Sequence, residues 1–267
     1  MSYNSAMSLY SFYLEKEAMG LQKTYTITCR VNSYQTDMNS RMKPSALLEV
    51  MQEMAGAHAE LLGIGRSVLL DRNLVWVLTR IEVQMARYPV FGETISVETF
   101  PMPNRRWFFP RYFIFRDEEG RQIGCAGSLW VLLDIRERKM SRPDPVIAML
   151  PDNSDLTAPL GLPATVAEVT GAFEAETRRP VYTDLDMNGH VNNTRYMDWC
   201  CNALGIDTLK QYELASFALN YNQEIMPGQE IRTELHRNGD AFSFSGFAED
   251  MRHFDVGGVL RPLVSGD

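Results

Sequence analysis

From Ser45 to Leu62 apolar positions recur every three to four residues. Leu47, Leu48, Met51, Met54, Ala55, His58, Leu61 and Leu62 fall on one face, and Pro44 stands where a helix would start. The spacing predicts one long helix with a single apolar face. A shorter version runs from Asn192 to Gly205, with Tyr196, Trp199, Cys200, Ala203 and Leu204 on its face and Gly205 as a stop signal. Behind each helix the pattern changes to that of strands. Residues 73–100 and 214–237 are rich in β-branched and aromatic side chains and are broken by Gly92 and Gly228. Two more strands follow in each half, with turn-like Asp117–Arg121 (DEEGR) and Arg237–Asp240 (RNGD) joining them.

The two series are copies of one unit. Ahead of the helices stand "TDMNSRM" (Thr36 to Met42) and "DLDMNGHV" (Asp184 to Val191), so that Asp37 and Asn39 reappear as Asp186 and Asn188, 149 positions later. Gly92 and Gly228 are 136 positions apart, which makes the second copy 13 residues shorter between motif and turn. Between the copies, residues 141–170 carry five prolines and little periodicity, as a linker would. The expected organisation is an N-terminal domain over 21–142, a linker over 143–170 and a C-terminal domain over 171–267. Each unit reads as strand, loop, helix and four antiparallel strands. A helix on the concave face of a curled antiparallel sheet is the hot-dog arrangement, so the expected fold is α+β, a tandem hot dog in one chain.

Composition narrows the chemistry. With 267 residues, 45% hydrophobic and 22% charged, the chain is long enough for two packed units and is not of disordered type. A net charge of -8 argues against a nucleic-acid partner, which would call for a basic face. Cys29, Cys125, Cys200 and Cys201 show no paired spacing and read as reduced thiols. The first twenty residues do not follow the order of a signal peptide, and no apolar run has the length of a bilayer span. The location expected from these features is cytoplasmic, with no membrane partner. His58, His236 and His253 are scattered without ligand spacing and no phosphate-cradling glycine motif occurs, so neither a metal nor a cofactor is expected.

The loop ahead of the second helix carries the candidate chemistry. Asp-x-Asn-x-His at Asp186, Asn188 and His190 places polar side chains and free backbone N–H groups at the positive end of a helix, a setting that suits an oxyanion. Each residue also has an ordinary reading. Asp186 and Asn188 are common turn and cap residues, a loop histidine often bonds locally, and Asn192 and Asn193 read as caps. The first copy has Arg41 at the position of His190 and, by the 136 offset, Tyr88 at that of Glu224.

The segment "DLDMNGHVNNTRYMDW" resembles the catalytic segment of the acyl-acyl carrier protein thioesterases, tandem hot-dog enzymes of plant plastids and bacteria, and the likeness of arrangement spans nearly the whole chain. What that resemblance implies is a site of Asp186, Asn188, His190 and Glu224. Asn188 and Glu224 would hold and activate water, His190 would share their network and Asp186 would orient its neighbours. The plant sequences have a cysteine directly after that glutamate; this chain has Ile225, which favours water as the attacking group. Glu224 as base and Glu224 as nucleophile both stay open.

The resemblance thus implies hydrolysis of fatty acyl thioesters on acyl carrier protein, to free acid, with the N-terminal unit silent and lending walls to an acyl pocket. Competing readings are an acyl-coenzyme A thioesterase and an acyl-binding protein without turnover. Trp76 to Met85 supplies bulky side chains for either a core or that pocket. The basic run Asn104 to Arg111 reads as a solvated strand face or as a patch for the acidic carrier protein. Two hot dogs in one chain already satisfy each other, and pairing into a homodimer is compatible with the sequence.

Overall fold

The computed structural model describes residues 22–142, 144–171 and 173–263; the reading of the first twenty residues lies outside them. The first half opens with β1 (Tyr25–Arg30), a 3-10 turn (Ser33–Gln35), α1 (Pro44–Leu61) and α2 (Arg66–Asp71). Strands β2 (Leu74–Met85), β3 (Thr94–Pro101), β4 (Phe109–Arg116), β5 (Gln122–Asp134) and β6 (Lys139–Met140) follow. After α3 (Asp144–Ile147), the second half repeats the order: β7 (Phe173–Arg178), a 3-10 turn (Tyr182–Asp184), α4 (Arg195–Leu204), α5 (Ile206–Leu209), β8 (Tyr212–Tyr221), β9 (Ile231–Asn238), β10 (Ala241–Ala248) and β11 (Met251–Pro262).

The strands form one antiparallel sheet in the order β1-β3-β4-β5-β2-β8-β11-β10-β9-β7, with β6 beside β5. The seam is β2 against β8, where Ile81 faces Leu219, Glu82 faces Ala218 and Val83 faces Phe217. Glu82 and Ala218 are themselves 136 positions apart, so the approximate two-fold axis relating the halves passes through this pair. Neither half presents a free edge there. Joining two curled sheets through their edges removes the unpaired N–H and C=O rows that would invite aggregation.

Helix α1 starts at Pro44, which needs no N–H acceptor, and buries Leu47, Leu48, Met51, Met54, Ala55 and His58. Leu61 departs from the expected face and is exposed. The chain leaves the helix at Leu62, which turns into a second, smaller core with Ile64, Leu69, Leu74 and Leu132. Helix α4 buries Tyr196, Trp199, Cys200 and Leu204 and ends at Gly205, whose φ of 84° favours glycine. Tyr196 lies flat on Phe254, ring centroids 4.3 Å apart. One main core runs through both halves, from Val97 and Phe115 to Phe217 and Phe244. Each such side chain contributes roughly 1.5–3 kcal/mol by leaving water.

Two details differ from the sequence reading. Arg105 and Arg106 are exposed, but Arg111 points inward from β4, only 7% accessible. The alternation of a strand places it opposite Pro110 and Tyr112. Its Nη1 donates to His58 Nδ1 at 3.0 Å and Thr99 Oγ1 at 3.3 Å, and His58 Nε2 donates to the Gln22 carbonyl at 3.0 Å. Burial and the neighbouring guanidinium hold His58 down to about 4. Second, Arg237–Asp240 joins β9 to β10, while the last hairpin turns at Glu249 and Asp250, both with positive φ as a tight two-residue turn requires. The proline-rich stretch between the halves is packed on the sheet. Asn153 Nδ2 donates to the Pro101 carbonyl at 2.7 Å, and the N–H groups of Val166 and Val169 donate to Asn220 Oδ1 and Ser243 Oγ. Gly257 permits this approach, since a Cβ there would stand 2.6 Å from Val166 Cγ1.

Candidate active site

Local backbone bonds shape the loop from Leu185 to Val191. Asp186 N–H donates to the His190 carbonyl at 2.9 Å, Gly189 N–H donates back to the Asp186 carbonyl at 3.0 Å, and Gly189 takes the positive φ of 82° that the turn needs. Asp186 Oδ1 accepts the Asn188 N–H at 2.8 Å, an Asx turn. The Val191 N–H then donates to the Ile225 carbonyl at 2.9 Å, which ties the loop to the segment after β8 that carries Glu224. A second tie comes from β11. His253 Nδ1 donates to the Glu224 carbonyl at 3.0 Å, and the His253 carbonyl accepts the N–H groups of Asn222 and Gln223.

These bonds bring together all four residues selected from the sequence. His190 stands between two carboxylates: Nδ1 is 3.5 Å from Asp186 Oδ2, and Nε2 is 3.7 Å from Glu224 Oε1. Asn188 Nδ2 donates to Asp186 Oδ2 at 3.4 Å. The Asp186 and His190 side chains are mostly covered, whereas that of Glu224 is 71% exposed. Below them, burial and then the charges of Glu224 and Asp186 push the Tyr196 hydroxyl above its ordinary range. Asn192, expected as a cap, stands two residues ahead of Thr194, the N-cap of α4, and its Oδ1 accepts the Thr194 N–H and Oγ1–H at 2.9 Å.

Three neighbours escaped the sequence reading. Arg66, at the start of α2 in the other half, donates from Nη2 to Asn188 Oδ1 at 3.3 Å. His253 supports Glu224 from β11, and Tyr196 reads from sequence as core. Arg66 and Asn188 are 122 positions apart, and only the antiparallel seam brings them into contact. No local pattern signals that.

The first copy folds alike with different side chains. Asp37 N–H donates to the Arg41 carbonyl at 2.8 Å, Ser40 N–H to the Asp37 carbonyl at 3.1 Å, and Met42 N–H to the Pro89 carbonyl at 2.8 Å. These match the second loop bond for bond and put Tyr88 where the other half has Glu224. Arg41 forms an ion pair with Glu213, so the position of His190 is filled here by a paired cation. Beside the second loop lies a narrow space of about 10 Å³ between α1 and the sheet, lined by Leu48, Met51, Leu78, Trp130, Asn193 and Tyr221 among others. Its apolar walls come mainly from the N-terminal half. Among the described residues no cluster of three or more His, Cys, Asp or Glu could hold a metal ion, and no helix is long and apolar enough to cross a membrane.

Comparison with known proteins bears on this geometry. The family profile for the acyl-ACP thioesterase N-terminal domain matches residues 22–149, and that for the C-terminal domain matches residues 168–251. A palmitoyl-acyl carrier protein thioesterase of Gossypium hirsutum is 28% identical over 207 residues, 73% of this chain and 50% of its own length. A dodecanoyl-[acyl-carrier-protein] hydrolase of Cinnamomum camphora is 27% identical over 210 residues, 74% of this chain and 55% of its own. The chain spans about half the length of the curated relatives it matches. Among solved structures, an acyl-ACP thioesterase from Bacteroides thetaiotaomicron superposes with a TM-score of 0.82 at 24% identity, covering 90% of this chain and 98% of that one. A 12:0-ACP thioesterase from Umbellularia californica gives 0.75 at 24% identity, covering 91% and 98%. These two share the tandem hot-dog fold with it. By the two profiles, which between them take in most of its length, the chain belongs to the acyl-ACP thioesterase family.

Proposed function

We propose that the chain hydrolyses fatty acyl thioesters carried on acyl carrier protein, releasing the free acid and the carrier thiol, with Asp186, Asn188, His190 and Glu224 as its working residues. The observation that carries this reading is His190 held between Asp186 and Glu224 in the one motif loop that retains a histidine, on a chain of this family. The relatives named are carrier-protein thioesterases, which favours that carrier over coenzyme A.

The chemistry follows from the directions of the donors. His190 Nδ1 faces two acceptors, Asp186 Oδ2 at 3.5 Å and the Val191 carbonyl at 3.4 Å, which favours the tautomer protonated there. Nε2 then turns its lone pair toward the exposed Glu224 carboxylate. A water between Glu224, His190 and Asn188 gives a proton to Glu224 as its oxygen attacks the thioester carbon. The oxyanion that forms lies near the positive end of α4, and its collapse expels the carrier sulfur as a thiolate that takes up the proton. Both carboxylates stand beyond hydrogen-bond length from the ring, as catalytic contacts often do without substrate.

Cysteine is a poor alternative. Burial pushes the Cys200 thiol far up and the Cys201 thiol up to about 12, and Ile225 follows Glu224 with its side chain fully buried. The N-terminal half, over 21–142, is the silent unit in this proposal, since Arg41 and Tyr88 replace His190 and Glu224. It supplies the walls of the acyl pocket, where Leu48, Met51 and Trp130 must shift to admit a chain. The same reading places the reaction in the cytoplasm and makes exposed Arg105 and Arg106 the positive patch that meets the acidic carrier.

The test is release of free thiol from C8 to C18 thioesters of acyl carrier protein and of coenzyme A. His190→Ala and Glu224→Gln should each lower kcat by about a hundred- to ten-thousand-fold while the fold is kept. Wild-type inactivity across the panel would leave an acyl-binding protein instead, and equal rates on coenzyme A would remove the carrier assignment.

A further inference from the structure

Beside the first motif loop, walled by both halves, lies a much larger cavity than that beside the candidate active site. It measures about 390 Å³ and lies under the loop Asp37–Arg41, between the first turn of α1 and the helices α4 and α5 of the other half. That is within the range of small-molecule sites, about 300–1,000 Å³. Most of its lining is apolar, with Met42, Leu209, Leu214 and Leu263 prominent.

Several polar groups also line it. Tyr88 is 4% exposed and lines the cavity, yet its hydroxyl has no hydrogen-bond partner among the described residues. A buried hydroxyl left unpaired costs stability, so it needs a reason. The Met42 N–H bond to the Pro89 carbonyl and the Arg41–Val90 bridge set the backbones of Tyr88 and Lys43 opposite one another; Lys43 also lines the cavity, and its ammonium pairs with no carboxylate among the described residues. Next come Pro44 and Ser45, the first turn of α1, which has no side-chain cap. Its opening N–H groups lack intrahelical acceptors and carry the helix's positive end. The acids on the walls are already engaged. Asp37 Oδ1 accepts the N–H groups of Asn39 and Arg41, Asp198 pairs with Arg195 at 2.7 Å, and Glu213 is shared by Arg41 and Arg261.

We propose that this cavity is a binding site for an alkyl monocarboxylate, whose carboxylate is received by the Tyr88 hydroxyl, the Lys43 ammonium and the first turn of α1, with its chain on Met42, Leu209 and Leu214. Burial, with Glu213 and Asp37 nearby, keeps the Tyr88 hydroxyl protonated and so a donor. The assignment stands apart from the hydrolytic reading; where that reading holds, the ligand has the chemical class of the product.

Calorimetric titration of the full chain with sodium octanoate tests it. Octanoate affinity should fall about tenfold in Tyr88→Phe and in Lys43→Gln and stay unchanged in His190→Ala, and 1-octanol should bind wild type at least about tenfold more weakly. Without octanoate, Tyr88→Phe should melt no lower than wild type, because it removes an unpaired buried hydroxyl; a folding defect would not then account for lost binding. Octanoate binding that ignores both Tyr88→Phe and Lys43→Gln, that disappears in His190→Ala, or that is absent up to millimolar concentration overturns the proposal. A protein inactive on every thioester that still binds octanoate through Tyr88 would sink the hydrolase reading and leave this one standing.

Discussion

Tyr88 and Glu224 occupy the same place in the two halves. Each precedes the residue whose carbonyl accepts an N–H from its motif loop, at 2.8 Å in the first half and 2.9 Å in the second. One is buried and the other mostly exposed. Interchange of the two types should therefore have unequal effects. Tyr88→Glu places a carboxylate at a buried position near Glu213 and should cost about 2–4 kcal/mol of stability in urea titration. Glu224→Tyr should cost under about 1 kcal/mol while abolishing thioester turnover. A Tyr88→Glu variant as stable as wild type would mean that a carboxylate at position 88 finds water or a cation there.

Arg66 reaches from the N-terminal half to Asn188 in the other, so the first half should influence catalysis without touching the reacting atoms. Arg66→Ala should reduce kcat/KM by about three- to tenfold, the equivalent of one hydrogen bond, with stability changed by less than about 0.5 kcal/mol. Arg66→Lys should recover part of the loss. Unchanged kinetics in Arg66→Ala would reduce that contact to a surface feature.

The buried pair of Arg111 and His58 makes folding acid-sensitive. His58 titrates near 4 in the folded chain, against about 6.5 when unfolded, so between these values the unfolded state binds more protons. Stability from this group is full above about pH 6.5 and is lost as pH falls toward 4, by at most about 3 kcal/mol. His58→Gln, whose amide oxygen can still accept from Arg111, should flatten the denaturation midpoint across that window. An equally steep pH dependence in His58→Gln would assign the effect to other groups.

Water attack and attack by Glu224 leave different labels. In a single turnover in oxygen-18 water with excess enzyme, direct water attack puts one heavy oxygen into the released acid. Attack by Glu224 forms an anhydride, and water that opens it at the glutamyl carbon leaves the heavy oxygen on Glu224. Mass spectrometry of the acid and of the peptide bearing Glu224 tells them apart. The proposed mechanism expects the label in the acid alone.

Short-range order was legible in the sequence. The spacing of Leu47, Met51, Met54 and His58 marks α1, and the repeated Asp-x-Asn marks two loops whose backbone bonds are now seen to match one another. Glu224 was reachable through the resemblance of its segment to the family, and the offset of the glycine pair then set Tyr88 opposite it. What stayed hidden depends on long-range pairing. Arg66 meets Asn188 only because β2 and β8 pair, and Arg111 reads as one more basic residue until strand alternation turns it toward His58. The turn at Glu249 and Asp250 lacks the glycine or asparagine that usually signals positive φ.

The pairing of Glu82 with Ala218 has a further meaning. In a dimer of identical subunits a residue on the two-fold axis must face itself, and glutamate opposite glutamate is repulsive on neighbouring strands. A fused chain is released from that identity. Either side of every near-symmetric contact can drift alone, and a histidine can be kept on one face while its twin becomes an arginine, a division of labour closed to two copies of one gene product.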